Sequence, residues 1–147
     1  MKFKHRELSM YNVVSYTTDV APGDDFFEII APVSDYFKQV LMQNRFFTSG
    51  PIVFNYLPDA QRFTIMTTLG NQLKIVDDSA NSFDFAEHFE LDTDFFYRHA
   101  DIDEPIPYEE IIGAVAAAGF GVRGIYHVVL NVYGDVILDL YVDAVAL

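Results

Sequence analysis

The sequence predicts an α+β fold in which a strand–helix–hairpin unit occurs twice and forms one antiparallel sheet, with helices on one face and a groove on the other. The first observation is the order of patterns, because strand segments and helical stripes follow each other in the same way in both halves. The second is a glycine before each predicted hairpin, Gly50 and Gly124. A length of 147 residues fits a single domain. We therefore predict one domain, residues 1–147, made of two pseudo-repeats at about 10–70 and 83–146.

The first unit opens with a strand at 10–20, where β-branched and aromatic residues dominate up to the turn signal APGDD. A helix follows through about residue 45, with Asp24 or Asp25 as its N-cap. Pro32 interrupts this pattern, so it either kinks the helix or is its first residue. Two strands, PIVFNYLP and RFTIMTTL, complete the unit, and a short strand, LKIV, is expected in the connection that follows. The apolar stripe of the helix is Phe26, Ile29, Ile30, Val33, Phe37, Val40 and Leu41.

The second unit opens with a strand at 83–99, whose residues alternate between one aromatic face and one charged face. A helix at 108–118 follows and ends at three glycines, and a hairpin closes the chain. For this hairpin we predict a three-residue loop, 133–135, which places the apolar residues of both strands on one face. Burial of each such side chain contributes roughly 1.5–3 kcal/mol, which favours this register. In that register His127 lies opposite Tyr141.

Composition and charge restrict the class of protein. Hydrophobic residues make up 51% of the chain, enough for a sizeable core, and the absence of cysteine excludes disulfides and thiolate metal sites. The net charge of −13 opposes binding to nucleic acid or to an anionic membrane surface, because both require Lys and Arg to neutralise phosphates. No apolar run is long enough to cross a bilayer, and the first residues lack the apolar core of a secretory signal. We therefore expect a cytoplasmic protein with neither nucleic acid nor membrane as a partner.

Acidic residues are concentrated between residues 77 and 110, which contain twelve acids and one arginine. Such a segment is typical of a solvated surface, and it also suits contact with a basic protein. This gives an alternative function, in which the chain is an adaptor, inhibitor or immunity-type protein that binds a basic partner through 77–110. Glu90, Asp92 and Asp94 would then lie in the contact.

The sequence lacks local motifs for metal, nucleophile or phosphate chemistry. The histidines, at positions 5, 88, 99 and 127, are never three or four residues apart, so no local metal motif exists. GFGVRG has glycines at dinucleotide-binding spacing, but it follows a helix instead of opening one. A phosphate there would meet the negative end of the helix dipole. We therefore predict no metal, no cofactor and no catalytic residues, and we expect binding in preference to catalysis.

The last strand suggests a ligand site, because Asp139 and Asp143 flank Tyr141 on one strand face. With His127 opposite, this face would form an acidic and aromatic floor for a small cationic or hydrophobic molecule. A hydrolase is a further alternative, with Asp139 as general base and Tyr141 or His127 polarising the substrate. The predicted ligand-binding residues are Tyr56, Tyr97, His127, Asn131, Asp139 and Tyr141, with Tyr108 and Glu109 at the border of the groove.

Two short patterns resemble the GyrI-like family of small-molecule-binding and effector-binding domains. One is PYEE at 107–110, similar to the Pro-Tyr-acidic start of the family's second helix, and the other is DLYV at 139–142, similar to its closing strand. The resemblance covers essentially the whole chain. It implies a pseudo-twofold sheet with a groove for cationic or hydrophobic compounds, and some family members inhibit DNA gyrase or hydrolyse small molecules. The chain equally resembles an uncharacterised Firmicutes family, some members of which accompany type VII secretion loci. An exposed last strand would also allow a homodimer.

Overall fold

The computed structural model describes residues 1–21, 26–70 and 83–147. The expected N-cap at Asp24 or Asp25 and the expected short strand LKIV lie outside these residues. The first strand begins earlier than the sequence pattern predicts, at Lys4 instead of residue 10. The elements are β1 (Lys4–Asp19), α1 (Phe26–Gln43), β2 (Val53–Asn55), β3 (Arg62–Thr68), β4 (Asp84–His99), α2 (Tyr108–Ala117), β5 (Phe120–Val132) and β6 (Asp135–Ala146).

The six strands form a closed antiparallel barrel in the order β1-β3-β2-β5-β6-β4. The prediction of a sheet with helices on one face and a groove on the other is therefore wrong. The closure comes from β2 and β5, which pair with Val53 opposite Val128 and so join two strands that an open sheet would leave at its edges. The last strand, β6, pairs with both β4 and β5, so it is not the exposed edge on which the homodimer prediction rested.

The order strand–helix–strand–strand occurs twice along the chain. The pairing also repeats, since β1 pairs with β3 and β3 with β2, as β4 pairs with β6 and β6 with β5. The long strands β1 and β4 pair with each other where the two halves meet. This order supports the description as two pseudo-repeats, at about 10–70 and 83–146, which we keep as a proposal.

Two apolar clusters lie on the two sides of the barrel wall. The larger cluster includes the buried faces of both helices, with Phe37 from α1 and Ile111 from α2, so it lies outside the barrel. Among the residues whose side chains the structure describes, the smaller cluster takes members from all six strands and none from the helices, so it fills the barrel interior. Its buried members are Leu8, Met10, Val13, Val53, Met66, Phe96, Val128 and Tyr141.

The single aromatic face predicted for the strand at 83–99 is wrong. Phe89 packs against the cluster inside the barrel, whereas Phe95 packs against the cluster outside it. The register between β1 and β4 shifts between Lys4 and Arg6. A bulge of this kind turns the following side chains of a strand to the opposite face, which strict alternation does not foresee.

Helix α1 runs from Phe26 to Gln43 with Pro32 inside it, so Pro32 is not its first residue. The side chain of Pro32 is exposed, whereas Phe37 and Val40 from the predicted stripe are buried. Neither described helix is long and apolar enough to span a membrane.

The last hairpin has a two-residue turn, because Val132 pairs with Asp135. The predicted three-residue loop is therefore wrong. Tyr133 and Gly134 have φ angles of 52° and 89°, the left-handed conformations of a type I′ turn, whose twist matches that of the strands it joins. The three-residue loop was predicted on the assumption that only one face of the hairpin is buried. In the barrel both faces are buried, one against the interior and one against the outer cluster, so the apolar residues need not share a face.

Replacement of Tyr133 by Asn is expected to raise the free energy of unfolding by about 0.5–1 kcal/mol, because Asn accepts a left-handed backbone more readily than Tyr. The Tyr133 side chain is fully exposed, so its removal takes no packing away. Urea denaturation measures the change, and Tyr133→Leu serves as the control that keeps the unfavourable conformation. Equal stabilities of the Asn and Leu variants would contradict the assigned turn.

Candidate functional site

The residues predicted to share one groove are divided between the two sides of the barrel wall. Tyr56 and Tyr97 belong to the cluster outside the barrel, whereas Tyr141 belongs to the cluster inside it. Asp139 is buried two residues before Tyr141 on the same strand face. Asn131 is exposed near the end of β5. The structure therefore does not assemble these side chains into a single site.

His127 is fully buried on the outer side of the barrel wall, opposite Leu140 instead of the predicted Tyr141. Its Nδ1 lies 3.1 Å from the Phe54 carbonyl oxygen, which can only accept, so Nδ1 carries the proton. The Tyr108 hydroxyl therefore donates to Nε2 over 2.8 Å. Burial lowers the pKa of His127 to about 4, with hydrogen bonds to backbone groups opposing the shift. The imidazole is neutral and fully bonded, which is the arrangement of a structural histidine.

Tyr108, which was predicted at the border of a groove, has a structural role at the start of α2. Tyr108 is the first residue of α2, and its hydroxyl ties this helix to β5 through His127. The neighbouring Glu109, also predicted at the border of a groove, is exposed in the first turn of α2, where a carboxylate complements the helix dipole.

Asp139 is held by two arginines. Arg98 donates from Nε to Oδ1 over 2.7 Å and from Nη2 to Oδ2 over 3.0 Å, a bidentate pair. Arg6 donates from Nη1 to Oδ2 over 3.4 Å, and its guanidinium carbon lies 4.5 Å from the centre of the Phe96 ring. The hydrogen bond to Asp139, with its charge, raises the pKa of Arg98. Since this carboxylate is already neutralised, it is not available as the cation ligand or the general base that the sequence suggested.

The second carboxylate of the predicted acidic floor is also paired. Arg123 donates to Asp143 through Nε and Nη2, both over 2.9 Å. The hydrogen bond to Asp143, with its charge, raises the pKa of Arg123. Neither carboxylate beside Tyr141 is therefore free to hold a cationic ligand.

A cavity of about 590 Å³ opens at the end of the barrel where β1 ends and β3 begins. Thr17 and Thr64 are paired across these strands, and their hydroxyls lie 2.8 Å apart on its wall. Asn55 of β2 pairs with Thr64 and continues this row of inward-facing polar side chains. The remaining lining comes from Asp19, Tyr56, Leu57, Ala60, Gln61, Arg62, Arg123 and Gly124.

The fold has a counterpart among solved structures. The crystal structure of the EcmrR C-terminal domain aligns with this chain over 100% of both chains, with a TM-score of 0.58 and 10% sequence identity. At this identity the likeness shows a shared fold alone. No protein-family model matches the chain, and no curated protein matches its sequence.

Glu90, Asp92 and Asp94 are exposed on β4, on the outside of its pairing with β1. His5 of β1 lies between two of them, with Nε2 at 2.8 Å from Asp92 and Nδ1 at 2.6 Å from Asp94. The hydrogen bond to Asp94 and the charge of Asp92 raise the pKa of His5. Likewise, the Glu90 side chain raises the pKa of Glu7 through a hydrogen bond and through its charge. The acidic surface exists as an exposed stripe, and its contact with a basic protein stays a prediction.

Sequence reasoning named Tyr56 of the cavity lining but missed the polar residues beside it, because Thr17, Asn55 and Thr64 stand in ordinary strand patterns. The available signal was position, and it marks two of the three: Asn55 follows the buried Val53 by two residues along its strand, and Thr64 precedes the buried Met66 by two. Among the described residues, no group of three or more His, Asp or Glu side chains is arranged to hold a metal ion.

Proposed function

We propose that this chain is a small-molecule-binding domain and that its ligand binds in the cavity at the end of the barrel where β1 ends and β3 begins. The observation that carries the proposal is this cavity of about 590 Å³, a volume within the range of ligand sites. The likeness in fold to the EcmrR C-terminal domain supports it, as does the resemblance of PYEE and DLYV to GyrI-like effector-binding domains.

The lining of the cavity favours a polar ligand with several hydrogen-bonding groups. The hydroxyls of Thr17 and Thr64 and the amide of Asn55 each donate and accept hydrogen bonds. Tyr56 and Leu57 supply apolar area beside them. A cationic ligand, as the sequence suggested, would pair here with Asp19, because the arginines already neutralise Asp139 and Asp143.

Gly124 offers a way to alter the cavity wall by one carbon atom. A Cβ at this position would lie 2.6 Å from Oδ1 of Asn55, so the Asn55 side chain must turn away from its place in the wall. Gly113, on the exposed side of α2, provides a matched control, since a Cβ there meets nothing within 4 Å.

The proposal predicts that a fragment library screened by thermal shift and by ¹H–¹⁵N correlation spectra yields ligands that move the amide signals of residues 17, 55 and 64. Gly124→Ala is expected to weaken these ligands by about 10-fold or more, as expected for loss of one or two hydrogen bonds. Gly113→Ala should leave the affinity unchanged. Ligands that map to other residues, or that bind the Gly124→Ala protein equally well, would refute the proposal.

A further inference from the structure

A second cavity, of about 300 Å³, lies at the opposite end of β1 from the first. It is formed where the start of β1 meets the end of β4, with Lys4 paired with Phe96. Along β4 the next inward position is Arg98, which pairs with Asp139 of β6. Its lining consists of Lys2, Lys4, His5, Arg6, Phe96, Tyr97 and Arg98.

This cavity concentrates positive charge in an otherwise acidic protein. The chain has nine lysines and arginines against 22 acids, and four of the nine line this single cavity. His5 also lies on its rim but is engaged by Asp92 and Asp94. Within the described ranges, Lys2 and Lys4 have no carboxylate within ion-pair distance, so neither ammonium group is held in an ion pair.

Asp139 holds the two arginines of this cavity in place. Its buried carboxylate receives two hydrogen bonds from Arg98 and one, longer, from Arg6. A guanidinium has five N–H donors, so both arginines keep donors beyond those directed at Asp139. The Phe96 ring supports the Arg6 guanidinium from one side. One buried carboxylate thus orients two cations without neutralising the lysines beside them.

We propose that this basic cavity binds a small organic anion through its carboxylate or phosphate group, with Lys4 and Arg6 as its principal partners and Arg98 as a further donor. Charge-assisted hydrogen bonds from arginine to carboxylate or phosphate are the strong class of such contacts. The volume of the cavity lies near the lower limit for small-molecule sites. A small anion therefore fits it, whereas a macromolecule does not. It lies apart from the polar cavity at the other end of the barrel, so this proposal is independent of the proposed function.

The test uses sodium benzoate and inorganic phosphate as probes, benzamide as the uncharged match of benzoate, and sodium chloride at equal ionic strength. The expected result is that benzoate, phosphate or both shift the amide signals of residues 4, 6, 96 and 98 in ¹H–¹⁵N spectra, while benzamide and chloride do not. Comparing the two anions shows whether the site prefers a carboxylate or a phosphate.

Two variants and one control locate the site. Arg6→Gln is expected to weaken binding about 10-fold, as expected for loss of a charge-assisted hydrogen bond. The double variant Lys2→Gln/Lys4→Gln changes only exposed side chains and should have a comparable effect. Arg62→Gln removes an arginine at the other cavity and should leave the affinity unchanged. The proposal is overturned if neither anion binds, if chloride or benzamide produces the same shifts, or if Arg62→Gln weakens binding as much as Arg6→Gln.

Discussion

Lowering the pH from 7 to 5 is expected to reduce the free energy of unfolding by about 2 kcal/mol through His127 alone. The reason is the burial of this imidazole, whose pKa falls to about 4 in the folded chain from an ordinary value of 6.5. Its two ring nitrogens are occupied by the Phe54 carbonyl and the Tyr108 hydroxyl, and the side chain is fully buried. Protonation would place an uncompensated charge in the core.

The sign follows from proton uptake. A histidine with a lowered pKa binds fewer protons in the folded state than in the unfolded state between pH 6.5 and about 4. Unfolding therefore takes up protons in this window, and stability falls as the pH falls through it. Below about pH 4 both states carry the proton, and the loss from this group reaches its limit of roughly 3 kcal/mol.

The measurement is urea denaturation at pH 7 and pH 5 of the wild type and of His127→Gln, which keeps one donor and one acceptor but does not titrate. The variant is expected to lose about 2 kcal/mol less than the wild type over this interval, whatever its absolute stability. The exposed His5, whose pKa is raised, acts in the opposite direction, since its stabilisation is lost as the pH rises. It is present in both proteins and cancels. Equal pH dependence in the two proteins would show that the pKa of His127 is not lowered in the folded chain.

The secondary structure could largely be predicted, because hydrophobic periodicity is a local property. The alternation at 83–99 corresponds to β4, and the stripe that includes Phe37 and Val40 corresponds to α1. The start of β1 was missed because its first residues, KHRE, are charged and mostly exposed on the strand surface. Charged strand residues that face water carry no periodic apolar signal.

The closure of the barrel could not be predicted, and the errors in the hairpin follow from it. A strand of three residues, β2, joins the two halves through β5, and no local pattern identifies its partner. Once both faces of β5 and β6 are buried, the apolar residues of this hairpin no longer report its register. The two-residue turn could have been predicted from the sequence, since Tyr133-Gly134 has the glycine at the second position that is typical of such turns.

The candidate site depended on that register. The sequence singled out Asp139 and Tyr141 correctly as neighbours on one strand face, but it also placed His127 with them. Shifting the pairing by one position moved His127 to the opposite side of the wall. The partner of Asp139 is set by pairing between β4 and β6, two strands remote in sequence. An ion pair between such strands can be predicted only when the order and register of the strands are known.

Replacement of Arg98 by Met is expected to lower the free energy of unfolding by about 2 kcal/mol, because it leaves the buried Asp139 carboxylate with only one longer contact to Arg6. Loss of one partner from a fully buried pair costs about 3–5 kcal/mol. The Arg98 side chain is 48% exposed, so water screens the pair and reduces the cost. The reverse change, Asp139→Asn, is expected to cost less, because both half-exposed arginines can return to water.

The matched control for this prediction is Arg123→Met, since Arg123 also makes a bidentate pair with an aspartate of β6. Its partner Asp143 has 16% of its side chain exposed, against 5% for Asp139, so its loss is expected to be the smaller of the two. The double variant Arg98→Met/Asp139→Leu removes both charges and should recover most of the lost stability, because an apolar pair of similar volume often replaces an ion pair at little cost. Urea denaturation of the wild type and the four variants measures these differences in the free energy of unfolding. If Arg98→Met and Arg123→Met lower the free energy of unfolding equally, the deeper burial of Asp139 does not make its ion pair contribute more to stability than that of Asp143.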